Sequence, residues 1–319
     1  MKRSGRREFI KQSAMAVTAL TFPATSLYDF LGNKRKFKLS LNPGAIGVSL
    51  SQMQLIETAS SLGFEAITPM AAEISSMSGT QILSLLGQMA VLDLSWGAAG
   101  LPVDFRNDEV NFRQGLMRLP EVGAALKSVG VDRMSTWIMP THQTYTYRNN
   151  FDVHVRRISQ MADILNGYGI RLGLEYVGPK TLMSLQRYSF IRSMAELQEL
   201  LKEINRPNIG IQLDSFHWYC AGESVEDILK LDKDLIVSCD LNDAKVGRTA
   251  DEQMDGEREL PGHSGMIDIG GFLRALQTIG YDGPIRAEPF NESLNKMDDN
   301  LALRVTYDAM KKSFDLLKQ

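Results

Sequence analysis

Eight short β-prone runs, each followed by a helical pattern, predict a closed (β/α)8 barrel of the α/β class. The repeat count supports a barrel, since eight units fill about 280 residues of the 319. No G-x-G-x-x-G turn follows the first strand, as an open doubly wound sheet would usually carry. The strand runs are Phe37–Leu41, Glu65–Pro69, Val91–Ser95, Arg133–Met139, Arg171–Val177, Ile209–Leu213, Leu235–Leu241 and Pro284–Phe290. The helical stretches are Gln52–Leu62, Gln81–Met89, Glu109–Val129, Asp152–Tyr168, Met194–Ile204, Val225–Leu231, Ile269–Ile279 and Asp298–Leu317. Glycines 63, 130, 169 and 280 each stand between a helical stretch and the next strand, as helix stop signals. With no Pro/Ser-rich linker inside them, residues 38–319 read as one domain, after a linker at 25–37.

Residues 1–24 read as an export signal, with an uncertain end. Lys2-Arg3-Ser4-Gly5-Arg6-Arg7 is basic, and Ala14–Leu20 is an apolar run too short to span a bilayer. Arg6-Arg7-Glu8-Phe9-Ile10-Lys11 resembles the twin-arginine signal, which implies transport of a folded protein to the periplasm or outside. Losing residues 1–24 takes the net charge from −3 to −7. With no basic excess, nucleic acid is a poor partner, and no membrane association is expected after signal removal. Two cysteines, Cys220 and Cys239, allow one disulfide but no disulfide framework.

Strand alternation points to the chemistry. Along the fifth strand Leu172, Leu174 and Tyr176 face the helices, while Gly173 and Glu175 face the barrel axis. The same period sends Gln212 and Asp214 inward on the sixth strand, Ser238 and Asp240 on the seventh, and Arg286 and Glu288 on the eighth. Val237, Cys239 and Leu241 face outward. Glu175, Asp214, Asp240 and Glu288 therefore meet near the C-terminal ends of four consecutive strands, where barrel active sites lie. Crowded buried carboxylates repel one another, and a divalent cation compensates them most simply. The bland alternative is an ion network with Arg286.

Of the four histidines, His142, His217 and His263 follow strands four, six and seven on this rim, whereas His154 reads as a helix surface residue. Trp96 and Trp218 follow strands three and six and are candidates for stacking on a sugar ring or for plugging a loop; Trp137 reads as core. Lys245 could hold a substrate oxygen, and Pro261-Gly262-His263-Ser264-Gly265 could shape a polar end of the substrate.

Glu175 in a Leu-Glu strand, Asp214-x-x-His217, Asp240-Leu241-Asn242-Asp243-Ala244, Leu260-Pro261-Gly262 and Ile285-Arg286-Ala287-Glu288-Pro289 together resemble the xylose isomerase-like TIM-barrel superfamily. It includes sugar phosphate isomerase/epimerases, tagatose/psicose 3-epimerases and inosose dehydratases, and the resemblance covers about residues 38–318. It implies one divalent metal held at the positions of Glu175, Asp214, Asp240 and Glu288. It also implies Glu175 and Glu288 as the acid/base pair and His217 as a contact to a substrate oxygen. Asp240 departs from the pattern, because the epimerases have histidine there; Asp243 is the alternative ligand if strand seven ends later. An all-oxygen set favours Mn²⁺ or Mg²⁺, with Co²⁺ or Zn²⁺ as alternatives. A DNA-repair nuclease of the same superfamily uses a His-rich three-zinc centre, which four histidines and an acidic chain do not fit.

The chemistry so implied is proton removal beside a carbonyl of a non-phosphorylated sugar, followed by epimerisation, isomerisation or elimination. Three functions follow: a metal-dependent sugar isomerase/epimerase, a lyase that eliminates the aglycone of a 3-keto-glycoside, and a non-catalytic sugar-binding barrel. The partner is then a small sugar or keto-glycoside, and the sequence leaves a homo-oligomer open.

Overall fold

The computed structural model describes residues 35–318, so the expected export segment and all of the linker before Arg35 lie outside the described residues. Chain packing starts at once. Arg35 pairs with Glu65 at 2.7 Å, and Phe37 is fully buried against Phe314 and Tyr281. No helix among the described residues is long and apolar enough to cross a membrane.

The barrel strands are Lys38–Leu41, Ala66–Ile67, a third strand in two pieces (Ser95–Trp96 and Ala99–Gly100), Arg133–Trp137, Arg171–Glu175, Ile209–Asp214, Ile236–Asp240 and Pro284–Arg286. All neighbours pair in parallel. Their order runs from Ser95–Trp96 through strands two, one, eight, seven, six, five and four to Ala99–Gly100. Both ends of the sheet are thus pieces of one stretch, and the ring closes through Gly97 and Ala98. Outward residues such as Leu172, Leu174, Ile211, Leu213 and Ile285 are fully buried under the helices, as expected for a parallel sheet covered on its outer face. Helices Gln52–Leu62 and Ile269–Ile279 stop at Gly63 and Gly280, which have φ of 96° and 80°, a left-handed conformation that costs glycine little.

Three expectations need correction. The third strand is expected at Val91–Ser95, but helix Gly79–Val91 runs through its start and the strand begins at Ser95. Leu92–Leu94 are spent on the turn, with Asp93 at φ 51°. Val237 faces the interior, not the helices. A register shift between Ile236 and Ser238 breaks the alternation there. Val237 fills the space above the paired glycines 173 and 210; a Cβ on either would come within 3.0 Å of it. Ser238 and Asp240 keep their inward parity.

His154 is buried, at 2% exposure. It belongs to the covered stripe of helix Tyr147–Asn166, together with Asn150, Arg157, Ile158, Met161 and Leu165. The stripe begins with polar residues, which hides it from a hydrophobicity reading. The ring packs between Phe105 and Phe190, and its Nδ1 lies 2.9 Å from the Asn150 carbonyl. Burial, the largest cause, pushes its pKa down to about 4 from 6.5. Between those values the unfolded chain binds more protons than the folded one. Stability therefore rises with pH from about 4 to 6.5 and is complete above that window. In urea titrations at pH 7 and pH 4.5, wild type should lose roughly 2 to 3 kcal/mol more than His154→Leu does. Equal losses would sink this assignment.

Above the sheet, Thr141–His142 pairs antiparallel with Tyr188–Ser189, tying together the loops that follow strands four and five.

Candidate functional site

Glu175, Asp214, Asp240 and Glu288 meet at the C-terminal mouth, each offering an oxygen within 4.8 Å of those of the others. The register explains the meeting: Asp240 lies beside Asp214 on one side and Arg286 on the other. Asp214 ends its strand and caps helix Ser215–Ala221 by accepting from the Phe216 N–H at 2.7 Å. That cap sets His217 one turn into the helix, over the same cavity.

Two arginines, Arg258 buried and Arg286 partly so, hold the cluster. Arg286 donates to both oxygens of Asp240 (2.7 and 3.2 Å) and to Glu288 (3.3 Å). Arg258 donates to Asp214 at 2.8 Å, to the Glu288 carbonyl at 3.2 Å and to Asp255 at 2.7 Å. Gln212 bridges Glu175 (2.9 Å) and Asp240 (2.7 Å) through one amide nitrogen. Asn242 donates to both Asp214 oxygens at 3.1 Å and accepts from the Glu288 N–H at 2.8 Å. Burial, then the charges of Glu288, Asp214 and Asp240, push Glu175 well above the carboxylate range. Burial pushes Asp214 up to about 6 against the opposing Arg258 charge, and burial with Asp240 takes Glu288 to about 7.

The donor set fits a divalent cation. Four carboxylates face two guanidinium groups, so full ionisation leaves two negative charges. The Glu175 carboxylate receives only the Gln212 amide, and that of Glu288 only Arg286. Both oxygens of Asp214 are engaged by Arg258, Asn242 and the Phe216 N–H, and both of Asp240 by Arg286 and Gln212. Glu175 and Glu288 would offer the ion their freest oxygens, with Asp214 and Asp240 in the same cluster. Asp243 points elsewhere, accepting from the N–H groups of Ala244, Ser264, Gly265 and Ile267.

His217 is fully buried, and burial with the Arg258 charge pushes its pKa well below 6.5. Its Nδ1 accepts from the Gly178 N–H at 3.3 Å. The neutral ring then carries its proton on Nε2, 3.9 Å from Glu175 and 3.8 Å from Asp255. Arg258 Nη2 also lies 3.3 Å from Nε2, but a guanidinium cannot accept, so in this tautomer that contact is not a hydrogen bond. Nε2 therefore offers a hydrogen, which suits a substrate oxygen better than a metal.

Around the cluster opens a cavity of about 660 Å³, lined also by Arg106, Ser135, Trp137, Met139, Val177, Leu182 and Phe290. Trp137, expected in the core, is 43% exposed in it. It pairs in register with Glu175 and shares the inward parity of Ser135, a signal that alternation applied to strand four would have given. Arg106 stacks on Trp137 with its guanidinium carbon 4.0 Å from the ring centre.

Other candidates lie elsewhere. Trp96 sits within its strand, not after it, and bonds the Val129 carbonyl at 2.8 Å on the outer face. Trp218 is buried against Phe272. Lys245 and His263 line a separate cavity of about 910 Å³ beyond Arg258 and Phe290. His142 lines a third cavity, of about 650 Å³. Cys220 and Cys239 are buried and unpaired. Arg258 is the residue of this cluster that sequence reasoning missed; that reasoning turns Gln212 inward and places Asn242 in the motif after strand seven, but gives neither a role there.

A family model described as Xylose isomerase-like TIM barrel matches residues 56–313. The inosose isomerase of Bacillus subtilis (strain 168) is 25% identical over 222 residues, covering 67% of this chain and 76% of its own length. The ketose 3-epimerase of Arthrobacter globiformis is 29% identical over 139 residues, covering 43% and 41%. A xylose isomerase domain protein from Alicyclobacillus acidocaldarius superposes with TM-score 0.77 at 28% identity, covering 89% of this chain and 100% of its own. A zinc-bound IOLI protein gives TM-score 0.71 at 22% identity, covering 88% and 98%.

Proposed function

Because the chain belongs to the xylose isomerase-like TIM-barrel family, we propose that it is a divalent-metal-dependent isomerase or epimerase that removes a proton beside the carbonyl of a non-phosphorylated sugar. One observation carries this reading: Glu175, ending strand five, and Glu288, two residues past strand eight, line one cavity, with the strands of Asp214 and Asp240 between them. Relatives named as an isomerase and a 3-epimerase support a sugar-modifying enzyme.

When bound, the cation polarises a carbonyl and acidifies the neighbouring C–H bond. Of the two glutamates, one takes the proton from carbon and the other returns a proton on the opposite face or at the adjacent carbon. The His217 Nε2–H gives a hydrogen bond to a substrate oxygen. Arg258 and Arg286 hold the carboxylates in place. Their engagement with carboxylates leaves the inner cavity poorly suited to a sugar phosphate, whose charge would meet the four acids. A β-elimination from a keto-glycoside begins with the same proton removal, and the open space beyond Trp137 favours it as the second reading.

Incubation with keto-sugars and 3-keto-glycosides plus Mn²⁺ in D₂O, read by NMR, tests the step. Deuterium should enter at the carbon next to the carbonyl. Product without deuterium would replace solvent-exchanging proton transfer by a hydride shift, and no turnover with any of these sugars would remove the catalytic reading.

A further inference from the structure

The inner cavity adjoins the third one: Arg106, Trp137 and Met139 line both. We infer that this outer cleft is a second subsite, which takes an uncharged, hydroxylated ring joined to the sugar at the carboxylate cluster. The substrate class is then a glycoside, not a free monosaccharide. This rests on the proposed reading of the inner cavity as a sugar site.

The wall between the two cavities is fixed in place. Trp137 ends a barrel strand and leaves much of its ring open. Arg106 covers one face, tied to the Trp137 carbonyl at 2.9 Å and to Thr136 Oγ1 at 2.5 Å.

Beyond it the wall is preorganised for a ring. His142 and Tyr145 stack with ring centres 4.5 Å apart and planes 13° from parallel. The His142 Nδ1 accepts from the Thr144 and Tyr145 N–H groups at 3.0 and 2.8 Å, which folds the loop around the imidazole. The strand pair Thr141–His142 with Tyr188–Ser189 anchors that loop. With Nδ1 accepting, the neutral ring carries its proton on Nε2, which has no partner among the described residues. The Gln143 and Gln186 amides along the same cleft are likewise unpartnered there.

Charge selects the ligand. Asp108 is spent capping helix Glu109–Ser128 through Asn111, and Arg106 lies flat on the indole with two of its nitrogens already bonded. Among the described residues lining the cleft, Arg106 is the one arginine or lysine, and its Nε and Nη2 are already bonded. What remains is an aromatic face with hydroxyl-binding amides and an imidazole N–H, the usual furniture of a polar-ring site.

Titration calorimetry on the full chain with Mn²⁺ tests this with ligands that cannot react. Methyl glycosides of neutral disaccharides, α-1,4- and β-1,4-linked, are compared with the matching methyl monosaccharides. At least one disaccharide should bind roughly tenfold tighter than its monosaccharide. In Tyr145→Ala, and independently in Gln186→Ala, that ratio should fall towards one. Equal binding of the two ligands in wild type overturns the subsite. So does a ratio that survives both variants. A gain seen only with 4-nitrophenyl glycosides would overturn the hydroxylated ring in favour of an aryl group. If no glycoside binds, the subsite fails. Deuterium exchange on a free keto-sugar then tells whether the inner reading fails with it.

Discussion

Glu175→Gln and Glu288→Gln should each lower turnover by roughly 10²- to 10⁴-fold, the contribution of a positioned acid or base. The two losses should differ in their stability cost. Glu288 lies between two guanidinium groups, 3.3 Å from Arg286 and 3.6 Å from Arg258. Removing its charge leaves both arginines short of a partner. Glu175 receives only the Gln212 amide, and it is surrounded by three other acids. Burial and those acids already favour its neutral form, so in the metal-free protein Glu175→Gln should melt at or near the wild-type temperature while activity is lost. Metal content measured on each purified variant separates loss of the ion from loss of proton transfer. A Glu175→Gln enzyme with its metal retained and turnover within threefold of wild type would remove Glu175 from the acid/base role.

The barrel and the carboxylate cluster are legible in the sequence because both follow from period two. Glu175, Asp214, Asp240 and Glu288 need only strand parity and strand ends to be placed together, and short-range sterics enforce both. What the period cannot supply is the destination of a loop. Arg258 sits between Glu257 and Glu259 in a stretch that reads as a solvated charged turn, yet it is 2% exposed. Only the folded course of that loop brings it over Asp214. Val237 is misplaced by simple alternation because one extra residue in the strand resets parity locally. The signal for it, glycines 173 and 210 on neighbouring strands, is visible only once the strands are in register. His142 and His263 follow strands as expected, but their loops carry them to other cavities, since a loop of several residues can leave the rim in any direction. Trp137 is within reach of the sequence: it shares parity with Ser135, but its size favours a core assignment.

Arg258→Met should cost more stability than either glutamate substitution, at about 3 to 5 kcal/mol, the cost of stripping one partner from a buried ion pair. The guanidinium lies between the Phe216 and Phe290 rings, at 5.0 and 4.4 Å, so methionine can keep the packing while the charge is lost. Asp214, fully buried, would then retain only the Asn242 amide and the Phe216 N–H. Arg258→Lys should recover little, because one ammonium cannot reach Asp214, the Glu288 carbonyl and Asp255 from a single planar fork. The double variant Arg258→Met, Asp214→Asn should recover much of the loss, since it removes the stranded charge along with its partner. Urea titrations of the three variants at pH 8 give the comparison. The destabilisation of Arg258→Met should shrink at pH 5, where the buried carboxyl can stay protonated at less cost. Additive losses in the double variant, or an Arg258→Met protein as stable as wild type, would show that Arg258 does not hold the cluster together.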